Sequence, residues 1–128
     1  MYRYGGLAQR RRGATISRTV RLIERDELKA KIDRGDSFKL VMVLSDFAYQ
    51  AGHIPGSLNL NSLDQAQKLL DKDDEIVLYC SNVDCPASPS AYRLLTEAGY
   101  TNVRRYAGGL LDWTEAGYPL DVTLETGG

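Results

Sequence analysis

The stretch Glu75-Ile76-Val77-Leu78-Tyr79-Cys80-Ser81-Asn82-Val83-Asp84-Cys85-Pro86-Ala87-Ser88-Pro89-Ser90-Ala91-Tyr92-Arg93-Leu94-Leu95 decides how this chain folds. Residues 76–79 are a short apolar run that reads as a strand. Small and polar residues, 81–88, follow as a loop. Ser88 is a good N-cap and Pro89 suits the first helical position, so a helix is expected from there to residue 98, ending at Gly99. Cys80 therefore stands between the carboxyl end of a strand and the amino end of a helix. Backbone N–H groups and the helix dipole favour an anion at such a junction. The thiolate, not the thiol, is the nucleophilic form of cysteine. The segment points to sulfur chemistry at Cys80.

The same alternation extends outward. Residues 16–22 contain a short strand, and residues 25–32 place Leu28 and Ile32 on one helical face before Arg34-Gly35-Asp36 ends the helix. Residues 38–44 are apolar at nearly every position, as in a strand buried on both faces. Residues 46–51 form one helical turn, and Gly52-His53-Ile54-Pro55-Gly56 a tight turn. Residues 58–60 are a minimal strand. Asn61 or Ser62 caps a helix running to about residue 70. Residues 103–106 are another strand, and Gly108-Gly109 turns the chain into a helix over residues 110–116. Strands alternating with helices predict an α/β fold, an open and mostly parallel sheet with helices on both faces. In such sheets the sites lie at the carboxyl ends of the strands, where Cys80 falls.

The 128 residues suit one domain, read as residues 16–121, between an irregular basic arm (1–15) and a loose tail (122–128). The hydrophobic and charged fractions, 43% and 26%, are those of an ordinary globular protein. The longest strongly apolar stretch, residues 40–44, is too short for a bilayer. No apolar core follows Arg3 and the Arg10-Arg11-Arg12 triplet, so a secretory signal is not expected and a cytoplasmic protein without membrane contact is. Two cysteines are too few for a disulfide framework, and in that compartment they are expected reduced. Residues 1–34 carry ten Lys/Arg against four Asp/Glu, and residues 35–128 six against thirteen. The basic arm reads as a solvated terminus, not a nucleic-acid surface, because no aromatic interleaving accompanies the arginines.

Three segments in order resemble the rhodanese (sulfurtransferase) homology domain. They are Gly52-His53-Ile54-Pro55-Gly56-Ser57, then Ile76-Val77-Leu78-Tyr79-Cys80, then Gly99-Tyr100-Thr101-Asn102-Val103 with Tyr106-Ala107-Gly108-Gly109-Leu110-Leu111-Asp112-Trp113 and Gly117-Tyr118-Pro119. The resemblance spans about residues 16–120. It implies a five-stranded parallel sheet wrapped by helices, and transfer of sulfane sulfur through a persulfide on Cys80. A small donor such as thiosulfate loads the cysteine, and a thiol, a protein thiol or cyanide unloads it. The resemblance gives Ser81, Asn82, Val83, Asp84, Cys85, Pro86, Ala87 and Ser88 as the substrate-binding loop, whose backbone N–H groups cradle the sulfur. It implies neither cofactor nor metal.

Two features depart from that family. An Asp-x-Arg commonly precedes the GHIPG turn, but Met42-Val43-Leu44 stand there. The loop 81–88 has no Lys or Arg, contains Asp84, and is about two residues longer than the common form. Anion stabilisation then falls to backbone amides and a helix dipole that typically gives about 0.3–1 kcal/mol, under one pKa unit. Cys85 reads equally as a resolving thiol or a small loop residue. Two cysteines and the distant His53 fall short of a zinc set, and Cys80 and Cys85 do not form Cys-x-x-Cys. His53 reads as a structural hydrogen-bonder, Tyr106 and Trp113 as core, and Asp112 and Glu115 as surface acids. Arg104 and Arg105 are solvated or reach toward an anionic donor. Pro86 stands where a cysteine-loop phosphatase or arsenate reductase needs its clamping Arg, which excludes that chemistry. Besides sulfur transfer, two readings remain: a dithiol redox or sensing module using Cys80 and Cys85, and a non-catalytic binding module.

Overall fold

In the computed structural model, which describes residues 20–123, four parallel strands form one sheet. They are β1 (Lys39–Met42), β2 (Leu58–Asn59), β3 (Ile76–Tyr79) and β4 (Val103–Tyr106), in the order β2-β1-β3-β4. Register pairs Met42 with Tyr79 and Tyr79 with Tyr106, so three strands end level at the edge where Cys80 begins. Five helices connect them: α1 (Arg25–Arg34), α2 (Asp46–Ala51), α3 (Leu63–Leu69), α4 (Ala87–Glu97) and α5 (Gly109–Glu115). No helix among the described residues is long and apolar enough to cross a membrane. The expected arm, residues 1–15, lies outside the described residues, as do 124–128 of the expected tail. Thr123, within that tail, donates its N–H to the Gln50 carbonyl at 2.9 Å.

The period-2 alternation of the strands divides the core into two layers. Val41, Ile76, Leu78 and Val103 pack with Ala66 and Leu70 near α3 and with Tyr92 and Leu95 of α4. Leu40, Met42, Val77, Tyr79 and Tyr106 face the other way, against Leu28 of α1 and Trp113 of α5. Helices thus cover both faces, as the alternating pattern predicts. Gly35 ends α1 at φ +73°, a backbone region glycine enters freely. Ser62, one of the two expected caps, accepts the Gln65 N–H and starts α3.

The sheet has four strands among the described residues where five were expected. Leu22 meets Arg105 through a single parallel bridge. Arg105 donates its N–H to the Arg21 carbonyl and accepts from the Ile23 N–H. The chain then enters α1 at Arg25, so pairing stops after one residue.

Tyr79 ties this sheet to the GHIPG turn. Its fully buried hydroxyl accepts the Ile54 N–H at 3.0 Å and bonds the Ser57 hydroxyl at 2.8 Å. Burial pushes its ionisation up from 10 to about 12. The neutral phenol is thus favoured by folding, a contribution complete below pH 10 and lost as pH rises toward about 12. Tyr79→Phe leaves the buried Ile54 N–H unpaired, while the Ser57 hydroxyl keeps its bond to the Ile54 carbonyl, and is expected to cost about 1–3 kcal/mol in urea denaturation. The variant's stability should also decline less than wild type's between those two pH values.

Candidate active site

Cys80 leaves β3 only 1% exposed, and its main chain is fixed by the start of α5. The Leu110 N–H donates to the Cys80 carbonyl at 3.0 Å, and the Leu111 N–H donates to the Ser81 carbonyl at 2.9 Å. Two donors that a helix start leaves unsatisfied are used this way. Gly109 makes the approach possible. Its φ is +66°, and a Cβ there would lie 2.5 Å from the Cys80 carbonyl oxygen.

The loop folds back on itself through Asn82. The Asn82 side chain accepts the Asp84 N–H at 2.9 Å, and its carbonyl accepts the Cys85 N–H at 3.2 Å. This Asx-type turn returns the chain toward its origin. Cys80 and Cys85 are joined as a disulfide, with their Cα atoms 6.3 Å apart, inside the usual range. The expectation of two reduced thiols is thereby corrected: the turn at Asn82 places the second sulfur on the first. It also directs the Asp84 and Cys85 amides to Asn82 and away from sulfur. Ser81 and Asn82 are half-buried, and Val83, Asp84 and Pro86 are exposed.

α4 begins at Ala87, with Pro86 as its N-cap, two residues earlier than Ser88 and Pro89 predict. Ser88 is instead 1% exposed, and its hydroxyl accepts the Arg105 Nε–H at 2.8 Å. Packing against β4 outweighs the local capping preference. Arg104 is engaged elsewhere, forming a bidentate pair with Glu27 at 2.8 Å. That hydrogen bond lowers the Glu27 ionisation below the usual carboxylate range and raises that of Arg104.

Asp112 is not a simple surface acid. It accepts the Tyr106 hydroxyl at 2.6 Å and pairs with Arg25 at 2.8 Å. Burial, then the Asp112 carboxylate, pushes the Tyr106 phenol far up. Tyr106 and Trp113 lie in the core, edge to face. His53 is 4% exposed and stacked on Tyr49 at 3.7 Å, and its Nδ1–H donates to the Tyr49 carbonyl at 2.7 Å. Its ring is committed to holding the turn.

At the positions of the missing Asp-x-Arg, the Asn59 side chain donates to the Met42 and Leu44 carbonyls at 3.2 and 2.7 Å. Sequence reading overlooked Asn59, since only its place opposite β1 reveals the role. Beside the loop lies a cavity of about 270 Å³ lined by Leu60, Leu63, Leu78, Ala87, Ser90 and Leu94, among others. Its lining has no Lys, Arg, Asp or Glu. Among the described residues, no three His, Cys, Asp or Glu side chains gather to hold a metal.

A cysteine at a strand end, a loop closed beneath α5 and a parallel sheet covered on both faces define an α/β domain built around sulfur. The rhodanese-like domain family matches residues 24–116, and the chain belongs to that family. It is 35% identical over 77 residues to the thiosulfate sulfurtransferase GlpE of Pseudoalteromonas translucida, covering 59% of this chain and 70% of that protein. It is 40% identical over 107 residues to the HTH-type transcriptional regulator Rv0324 of Mycobacterium tuberculosis. That match takes in 82% of this chain but only 46% of the regulator, so the chain spans about half of that relative's length. Among solved structures, the rhodanese-like domain of the Anabaena protein Alr3790 superposes with a TM-score of 0.73 at 26% identity, over 81% of this chain and 80% of that one.

Gly109→Ala forces a side chain into the left-handed region and against the Cys80 carbonyl. The strained backbone alone costs about 1–3 kcal/mol, and the contact adds to it. Chemical denaturation should show a loss at least that large, whereas Gly117→Ala, with open space at its Cβ, should lose less.

Proposed function

We propose that this domain carries sulfane sulfur as a persulfide on Cys80. The observation that supports it best is the sulfur already bonded to Cys80. The Cys80–Cys85 bond shows that the folded loop accommodates an S–S bond at the Cys80 Sγ. Membership in a sulfurtransferase-like family and the relative named for that activity agree with this reading.

The Cys80 thiolate attacks the outer sulfur of a donor. The donor's S–S bond breaks, its remainder leaves with the electron pair, and Cys80 keeps the sulfur. Loop 81–88 offers a dianion such as thiosulfate no cationic side chain, and it contains Asp84. A persulfide donor, with less charge to repel, is preferred over thiosulfate. The acceptor is a low-molecular-weight or protein thiol, or cyanide. The same disulfide favours a second reading, a dithiol redox or sensing module in which Cys80 and Cys85 cycle without carrying sulfur.

Reduced Cys85→Ser protein, treated with thiosulfate or glutathione persulfide, should gain the mass of one sulfur atom. Cys85→Ser combined with Cys80→Ala should gain none. Equal labelling of the two proteins, or of neither, overturns persulfide carriage; the absence of labelling leaves the dithiol reading in its place.

A further inference from the structure

We propose that Cys85 is an internal acceptor that discharges the Cys80 persulfide, releasing hydrosulfide and closing the Cys80–Cys85 disulfide, given that Cys80 carries sulfane sulfur as inferred above. The step is a displacement at the Cys80 Sγ. The Cys85 thiolate attacks that inner sulfur, and a bond forms between the two protein sulfurs. The bond to the outer sulfur breaks, and its electron pair leaves as hydrosulfide. The proton lost by the Cys85 thiol is available to it. Two thiols and one sulfane sulfur become one disulfide and one hydrosulfide. An external dithiol reductant then restores both cysteines for the next cycle.

Four observations converge on Cys85. The structure joins it to Cys80, so the folded loop brings the second thiol within bonding reach of the inner sulfur. The Asn82 turn holds it there through the Cys85 N–H and Asp84 N–H bonds. The opposite end of the loop cannot drift, because the Leu110 and Leu111 amides pin Cys80 and Ser81. An acceptor held in place reacts as if highly concentrated, ahead of one arriving from solution. Finally, Cys85 directly precedes Pro86, the N-cap of the eleven-residue α4, where aligned peptide dipoles favour a thiolate.

Electrostatics separate an internal acceptor from an external one. Loop 81–88 has no Lys or Arg to recruit an anionic acceptor. Arg104 is committed to Glu27, Arg25 to Asp112, and Arg105 bonds Ser88. An acceptor supplied by the chain needs no recruitment. Hydrosulfide is a weaker base than an alkyl thiolate, and the lower-pKa sulfur leaves faster, which favours its expulsion.

The test uses the full chain, reduced and freed of reductant, in the absence of oxygen. Wild type, Cys85→Ser and Cys80→Ala each receive glutathione persulfide in slight excess. Wild type should release close to one equivalent of hydrosulfide above the Cys80→Ala level, and its intact mass should fall by two hydrogens. Cys85→Ser should keep one added sulfur and release only the Cys80→Ala level. If wild type also keeps the added sulfur and releases none, or closes its disulfide without hydrosulfide, the role of Cys85 is overturned. The retained sulfur in Cys85→Ser would then still uphold persulfide carriage. If Cys85→Ser takes up no sulfur, the underlying reading itself falls.

Discussion

Two hydrogen bonds, from the Leu110 and Leu111 amides to the Cys80 and Ser81 carbonyls, govern how this domain presents its sulfur. They bind the end of the central strand to the beginning of the last helix. Without them the residue after β3 would leave the sheet with its direction unset. The contact is short because Gly109 lacks a Cβ and adopts a positive φ. The Tyr79 hydroxyl, on Ile54 and Ser57, fixes the GHIPG turn one residue before Cys80. The cysteine is thus held by main-chain and buried side-chain bonds from two separate segments.

The domain spends its cations away from the sulfur. Arg25, Arg104 and Lys31 form pairs that staple α1 to α5, to β4 and to the start of β3. Arg105 reaches the base of the loop through the Ser88 hydroxyl. The loop after Cys80 supplies a second sulfur and an Asx turn that includes Asp84, and no Lys or Arg. An anion entering this loop loses hydration with no loop cation to replace it.

Local sequence signals carried much of this. The run Ile76–Tyr79, the Ser62 cap, the glycines at 35 and 109, and the order of the three motif segments were all readable in one dimension. Each depends on contacts within a few residues or on a periodic pattern. The exceptions share a cause. Ser88 looked like a helix cap, yet a side chain seventeen residues away on β4 claims its hydroxyl, and α4 starts earlier. Asp112 looked solvated, yet Tyr106 and Arg25 converge on it. Asn59 carried no signal at all, since its partners are the carbonyls of another strand.

An α/β domain with a cysteine at the carboxyl end of a buried strand follows from the residues read in order, because hydrophobic periodicity and turn chemistry act over short spans. The same residues also make plain that the loop lacks a cation, since charge is a property of composition. It took the folded arrangement to bring Cys85 onto Cys80, to leave one bridge where a fifth strand was expected among the described residues, and to give Arg25, Arg104 and Arg105 their partners. Those outcomes depend on which distant groups meet in space, and a residue's neighbours in the chain do not encode that directly.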